Sequence, residues 1–590
     1  MRRISFKLSS LPYFEKWFIM GLIIGIISGL GATIFYFSIR FFEYIFLARI
    51  VGTNLPRPLG ENGSLIYHFY ALRFYLIPVV LIAGAAISSF IVQRFAPEAE
   101  GHGTDSAIRS FHYNYGKIRR RIPVVKTIAS AITIGSGGSA GREGPTAQIA
   151  AGLGSFIADL LGLTPRDRRI AVAVGIGSGI GTIFKAPIGG AVLGAEILYR
   201  RDMETEVLFP SIVAASVGYS IFASIVGFEP IFGYYLLPFN PLRLPFYATL
   251  GLITGLFAIF YVRFFYGTRD FFKRLNLSPY YKPIIGAAFT GIIALFFPEV
   301  LSTGYGWVQL LEYGRFNEFV YYGMPLVIFL VFLPFMKVFA TSFTVASGGS
   351  GGVFAPGIFI GASLGALLGY LVHLGFPYIA PNIAPFVIIG MLSFFGAAGK
   401  VPLSVILMVV EMTGSLQLLP GAMLAVAISY IVSGTKYSIY ESQVLTRRDS
   451  PANMGEFSSP LLKNIIIKDL NIEKIYVEPY DEIYSARELM NYYELYSLPV
   501  VQNQKFLGTV YVTDLENARY GPVNDYYVPA TSFIRPESNA EAAWELMMKN
   551  RTTWCPVVKD GNFIGIVRLK TILDVYKKYL EENPEINKDY

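Results

Sequence analysis

The chain has 590 residues, of which 53% are hydrophobic and only 15% charged, with a formal net charge of +8. An ordinary soluble domain carries about 25% charged residues, so this deficit excludes a single water-soluble globule and calls for an apolar solvent. The lone cysteine, Cys555, excludes an internal disulfide.

The basic start, Met1 to Lys7, lacks a small-residue cleavage site and reads as a lead-in to Trp17, an interfacial anchor type. Crossing a bilayer core takes roughly 20 apolar helical residues. Trp17–Ile39, Phe74–Gln93, Val207–Phe228 and Leu244–Val262 contain no Asp, Glu, Lys or Arg, and neither does Val338–Gly399, long enough for several passes. Basic clusters flank these segments at Arg119–Arg121, at Arg166, Arg168 and Arg169, and at Arg200–Arg201. Such clusters mark cytoplasmic loops, and without an aromatic-studded polar surface they do not suggest nucleic-acid binding. Near residue 441 the composition turns to an ordinary soluble mixture. The expected domains are a membrane domain over 1–445, a linker over 446–460 and a soluble tail over 461–590.

Both parts repeat internally. Ser136–Pro145 and Ser347–Pro356 share the pattern S-G-G-S-x-G-x-x-x-P, 211 residues apart. Lys185, Pro187 and Glu196 recur as Lys400, Pro402 and Glu411, 215 residues apart. Two motifs therefore agree on one duplication. In the tail, Leu498–Val510 matches Cys555–Val567 at an offset of 57 residues. Each copy there reads as a helix (481–493 and 539–549), a strand at Pro-Val-Val, a turn, a second strand and a closing helix.

Glycine-rich breaks at membrane depth are costly unless the freed backbone groups line a cavity or find partners. Two breaks placed alike in two halves point to a transport site. Pro145 and Pro356 suit the first turn of a helix, and the N–H groups of such a turn bind anions. Close helix packing is the simpler reading of many glycines, including Gly361, Gly365 and Gly369. It does not account for Arg142 and Glu143 inside one loop, since an ionised glutamate at membrane depth is expensive and functional by default. Glu143 is itself an anion, so it could occupy the site the amides make, and protonation would let it swing away. A permanent Arg142–Glu143 ion pair is the structural alternative.

Gly141-Arg-Glu-Gly-Pro145, Gly352-Val-Phe-Ala-Pro356 and Gly101-His-Gly-Thr104 resemble the signature loops of the CLC chloride channel and transporter family. The resemblance spans roughly residues 15–450. It implies an all-α polytopic membrane fold of inverted repeats with broken helices, forming a homodimer with one pore per subunit. It also implies roles: Glu143 as the gating and proton-exchanging glutamate, and His102, Gly103, Gly141, Arg142, Gly144, Val353 and Phe354 around the anion. Tyr440 would donate its hydroxyl to that anion, and Lys126 would raise the local positive potential. Tyr440 could equally be an ordinary buried tyrosine, which needs a hydrogen-bond partner in any case. Two features depart from the best-known members. His102 replaces a serine, with Asp105-Ser106 where a Pro-Glu pair is usual, and it is either an anion donor or a structural histidine. The inner proton-relay acid of many exchangers falls at Ile197; its neighbour Glu196 points about 100° away on a helix, so a structural role is expected for Glu196.

The tail resembles a pair of cystathionine-β-synthase (CBS) domains, expected over about 461–520 and 525–582. Such pairs bind adenine nucleotides in several families. The family pattern of Ser or Thr three residues after the glycine and Asp six after it is incomplete in both copies. Asp514 could hold a ribose and Arg568 a phosphate, or the tail is purely structural. The expected whole is a multi-pass cell-membrane protein, not an enzyme, with its N-terminus and tail in the cytoplasm. It would carry chloride or similar anions, with protons possible as a second ion, among membrane lipid, and would need no metal or other cofactor. A CBS-regulated divalent-cation transporter is the alternative, but its pore should present several carboxylates.

Overall fold

A computed structural model of the chain describes residues 11–236, 238–320, 322–453, 462, 464–515, 521–529, 532–550 and 552–582. The chain divides into two compact units between Ala452 and Asn453. The basic lead-in before residue 11 and most of the expected linker lie outside the described residues.

The first unit is helical and repeats. Its first half contains α1 (Tyr13–Glu43), α2 (Ile77–Phe95), α3 (Thr104–Tyr113), α4 (Ile122–Gly135), α5 (Glu143–Leu160), α6 (Pro165–Ile183), α7 (Pro187–Glu196) and α8 (Leu208–Val226). The second half repeats them in order as α9 (Leu244–Arg274), α10 (Lys282–Phe296), α11 (Tyr305–Glu312), α12 (Leu326–Thr341), α13 (Phe354–Gly375), α14 (Ala384–Gly399), α15 (Pro402–Thr413) and α16 (Leu419–Ser433). Among the described residues, six helical stretches are long and apolar enough to cross a membrane; α3, α7, α11 and α15 are much shorter. Proline opens α2, α4, α6, α7, α9, α10, α14, α15 and α16, where its missing N–H breaks no bond.

Small residues let helix backbones approach closely. On α1, Gly21, Gly25 and Gly29 face α8, and a Cβ on Gly25 would lie 2.6 Å from the Ala214 carbonyl oxygen. On α9, Gly251 and Gly255 face α16, and a Cβ on Gly251 would lie 2.6 Å from the Ala425 carbonyl oxygen. The same device is thus used in both halves. Gly361 and Gly365 meet α14 backbone at Gly390 and Phe386, so packing does explain them. On the outer side of α1, Phe18, Ile26, Leu30, Ile34, Phe37 and Phe41 are exposed, as a lipid-facing surface requires.

The halves are joined by contacts that run both ways. Helix α2 packs on α10, and α7 packs on α15. Glu196 at the end of α7 accepts from the Leu403 and Ser404 N–H groups at 3.0 and 2.8 Å. Glu411, near the end of α15, accepts from the Ile188 and Gly189 N–H groups at 3.0 and 2.8 Å. Each glutamate caps the N-terminus of the other's helix, which supplies the structural role expected of Glu196. Such reciprocity requires an approximate two-fold relation between the halves, the mark of inverted repeats.

The membrane unit runs past the expected boundary at 445. His112 holds Ser450 Oγ at 2.8 Å and the Leu198 carbonyl oxygen at 2.9 Å, and Arg169 donates to the Ala452 carbonyl at 2.7 Å. Residues 446–452 are therefore docked chain rather than free linker, because buried polar groups on α3 and α6 take their hydrogen bonds from it.

In the second unit, α17 (Ile483–Tyr493), β1 (Ser497–Gln502), β2 (Lys505–Tyr511) and α18 (Val512–Leu515) form one copy, with β3 (Val528–Pro529) added to the edge of β2. Helix α19 (Ala540–Asn550), β4 (Trp554–Lys559), β5 (Asn562–Arg568) and α20 (Leu569–Glu582) form the other. Ser497 pairs with Tyr511, and Trp554 pairs with Arg568, with a register irregularity at Val500/Val501 and again at Val557/Val558. The copies interlock: buried Trp554 donates its indole N–H to the Ser497 carbonyl at 2.9 Å and packs in the first copy's core.

Two outcomes are expected in thermal melts of the detergent-solubilised chain. Glu196→Ala and Glu411→Ala should each lower the melting temperature, since losing a helix cap costs about 1–2 kcal/mol. Trp554→Ala should remove about 3–5 kcal/mol from the tail's own transition.

Candidate functional site

Helix α4 ends at Gly135, and residues 136–142 form a loop before α5 begins at Glu143; in the second half the loop is 347–353 and α13 begins at Phe354. The loops meet at their glycines. Gly141 N–H donates to the Gly352 carbonyl and Gly352 N–H donates to the Gly141 carbonyl, both at 2.7 Å. A third loop, Gly101–Gly103, joins them: Gly101 N–H donates to the Gly349 carbonyl at 3.0 Å and Gly351 N–H to the Gly101 carbonyl at 3.2 Å. Gly144 packs so tightly on the His102 carbonyl that any side chain there would collide with it. The N-termini of α3, α5 and α13 are thereby brought together, with their positive dipole ends in one place.

Glu143 is fully buried where these ends meet. Its Oε2 accepts from the Ala355 N–H at 3.3 Å, and its Oε1 accepts from the Tyr305 hydroxyl. Arg142 stands 3.9 Å from Glu143 Oε1 but donates to Glu61 Oε1 instead. Its guanidinium lies between the rings of Tyr36 and Tyr305, at 5.4 and 5.2 Å. The hydrogen-bonded ion pair of Arg142 is thus with Glu61, a residue 81 positions away, and its pairing with Glu143 is the longer one.

Next to Glu143 the walls are aromatic. Phe354 packs at a tilt against Phe395 and Phe184, with ring centres 3.8 and 4.7 Å away. The Val353 carbonyl accepts from the Tyr261 hydroxyl at 3.4 Å. Tyr440 is buried beside Phe395 and beside His102, whose ring centre is 5.6 Å away, and its hydroxyl bonds the Thr104 side chain. His102 Nδ1 accepts from the Asp105 N–H at 3.4 Å, which leaves Nε2 as the ring's donor. Beyond His102 opens a cavity of about 940 Å³ lined by Gly103, Asp105, Phe265, Tyr266, Arg269 and Glu441. The hydrogen bond and charge of Arg269 hold the Glu441 carboxyl below its ordinary range. On the Glu143 side a smaller pocket of about 50 Å³ is bounded by Glu61, Arg142 and Tyr305.

Lys126, fully buried on α4, donates to the Ala99 and Gly101 carbonyls at 2.9 and 2.7 Å. It supports the Gly101–Gly103 loop from behind. Lys337 on α12 does the same for the second half, donating to the Val300 and Ser302 carbonyls at 2.8 and 3.1 Å. The sequence reading missed Lys337, although it stands 211 residues after Lys126, the spacing of the loops themselves. It also missed Tyr305, Phe184, Phe395 and Glu61.

The two tail residues expected at a nucleotide stand in different copies. Arg568 donates to the Tyr493 carbonyl at 2.9 Å and lies 3.5 Å from Glu473, while Asp514 belongs to the short helix α18.

Two repeated halves with broken helices and a charged, buried junction define a polytopic membrane transport protein. Comparison with known proteins gives the family. Residues 84–434 match the voltage gated chloride channel family model, and residues 466–521 and 524–578 match the CBS domain. An H(+)/Cl(−) exchange transporter ClcA of Salmonella paratyphi A is 30% identical, over 59% of this chain and 73% of its own. A putative chloride channel protein ClcB-like of Ralstonia nicotianae is 28% identical, over 68% of this chain and 93% of its own. Among solved structures, a slow cyanobacterial Cl−/H+ antiporter aligns with a TM-score of 0.61 at 23% identity, covering 73% of this chain and 97% of its own. A eukaryotic CLC transporter aligns with a TM-score of 0.61 at 18% identity, covering 94% and 97%. The chain belongs to the CLC family of voltage gated chloride channels and transporters, and carries a C-terminal CBS pair. The divalent-cation alternative finds no support in these comparisons.

Lys126→Met and Lys337→Met should each remove two buried hydrogen bonds to loop carbonyls. A loss of about 1–3 kcal/mol is expected for each, read as comparable falls in melting temperature.

Proposed function

We propose that the chain carries chloride or a similar small anion across the membrane, with Glu143 as a protonatable gate. One observation carries this reading: a buried carboxylate sits at the joined N-termini of α5 and α13 and takes an N–H from Ala355 of the opposite half. Those amides suit any small anion, and they hold it without a full positive charge that would retain it. Ionised Glu143 is the resident anion and closes the path. Protonation removes its charge, weakens its hydrogen bonds and frees the amides for the transported ion. Flux should therefore rise as pH falls.

In this reading Tyr440 and the Nε2–H of His102 would donate to an anion, since the Tyr440 ring lies beside both His102 and Phe395. Arg142, which donates to Glu61, acts on the ion as a nearby charge rather than as a hydrogen-bonding ligand. Proton exchange in the named relatives supports a proton-linked cycle. Ile197, at the position of the inner acid, is buried and uses its carbonyl to accept from Gln443 at 3.0 Å, so protons would need another inner route. The unit is read as a homodimer in the cell membrane, with Glu143 toward the outside and the N-terminus and tail in the cytoplasm. The tail is read as a structural pair, since a nucleotide phosphate at Arg568 would have to displace Tyr493 and Glu473.

In liposomes, Glu143→Gln should raise chloride flux at neutral pH severalfold, remove its pH dependence and abolish any proton movement. Unchanged flux and pH profile would refute the gate. Crossed chloride and pH gradients then separate the two modes: a reversal potential that follows chloride alone means a channel, and one that moves with pH means exchange.

A further inference from the structure

We infer that Tyr305 is a latch that holds Glu143 closed, and that Glu61 sets the strength of the latch by taking the Arg142 hydrogen bond, which leaves Arg142 no nearer than 3.9 Å to the carboxylate. The inference rests on Glu143 being the gate, and adds two residues that regulate it.

The duplication itself places the latch. Gly103 and Gly304 both have positive φ, +82° in each, and precede the first residues of α3 and α11. Those first residues are Thr104 and Tyr305. The Thr104 hydroxyl meets Tyr440 at one end of the site, and the Tyr305 hydroxyl meets Glu143 at the other. Tyr305 is packed against neighbours on several sides. Its ring packs against Phe184 and Phe232, with centres 6.3 and 5.8 Å away, and against the Arg142 guanidinium. That packing opposes the phenol following a departing carboxylate.

A phenol donates a charge-assisted bond to an ionised carboxylate and a much weaker one to a neutral acid. Tyr305 thus favours the closed gate only while Glu143 is ionised. Glu61 acts in the opposite direction. It comes from the segment between α1 and α2, is buried, and takes Arg142, with Arg40 and Lys185 close by. Lys185 is itself bound to the Gly60 carbonyl at 2.7 Å, so Arg142 is the cation that could turn to Glu143. Lys126 and Lys337 are engaged by backbone carbonyls, and Tyr440 faces Glu143 from the other side.

The test uses the full chain in liposomes and chloride calorimetry in detergent. Tyr305→Phe should raise flux, move the pH of half-maximal flux upward by about one unit, the worth of one such bond, and tighten chloride binding because the competing carboxylate is held less firmly. On a Glu143→Gln background the same substitution should add nothing. Glu61→Gln should lower flux and move the half-maximal pH downward, as Arg142 turns to Glu143. If Glu143→Gln changes flux but Tyr305→Phe leaves flux, pH profile and chloride affinity alone, the latch is wrong and the gate stands. An equal Tyr305→Phe effect on the Glu143→Gln background would also overturn it, by showing that Tyr305 acts elsewhere. Raised or unchanged flux in Glu61→Gln overturns the role of Glu61. If Glu143→Gln itself changes nothing, the gate fails and the latch with it.

Discussion

A helix that stops inside an apolar interior leaves backbone N–H groups with no intrahelical acceptor, and each must find one elsewhere. In this protein the acceptors come from the opposite half. Gly141 and Gly352 exchange hydrogen bonds, Glu143 takes the Ala355 N–H, and Glu196 and Glu411 cap each other's helices. Neither half satisfies its own breaks. The two-fold arrangement is therefore a condition of burying broken helices at all, and the junction of the halves is where their positive ends must collect.

That junction is what makes the site useful. Amide dipoles attract an anion without binding it as a buried lysine or arginine would, and the aromatic walls of Phe184, Phe354 and Phe395 keep the local dielectric low, which strengthens each polar contact. The nearest full charge, Arg142, is countered by Glu61. Lys126 and Lys337 are turned to loop carbonyls behind the site. The cations thus support the loops, and in the proposed function the amides and hydroxyls are left to meet the ion.

Much of this was legible beforehand because it recurs. The charge-free segments, the paired loops and the paired Lys-Pro-Glu spacing are local demands of apolar solvent and helix breaking, made twice. The tail was legible for the same reason, and its helices fall close to the ranges expected at 481–493 and 539–549. Tyr305 and Lys337 carried a usable signal, since they follow the same duplication as Gly103-Thr104 and Lys126. Glu61 carried none: it lies in a segment with no counterpart motif and finds Arg142 only across the fold. For the same reason the membrane unit's true edge at Ala452 was missed, because polar groups of His112 and Arg169 decide it from a distance.

The sequence by itself determined the solvent, the duplication, the breaks and the residues that stand at them, because each is written in composition or in short-range spacing. Only the tertiary structure decided who partners whom. Arg142 and Glu143 are adjacent in the chain, yet Arg142 belongs to Glu61 and Glu143 to Tyr305 and Ala355. Neighbours in sequence at the start of a helix project in different directions, and a buried charge takes the partner that packing brings within reach.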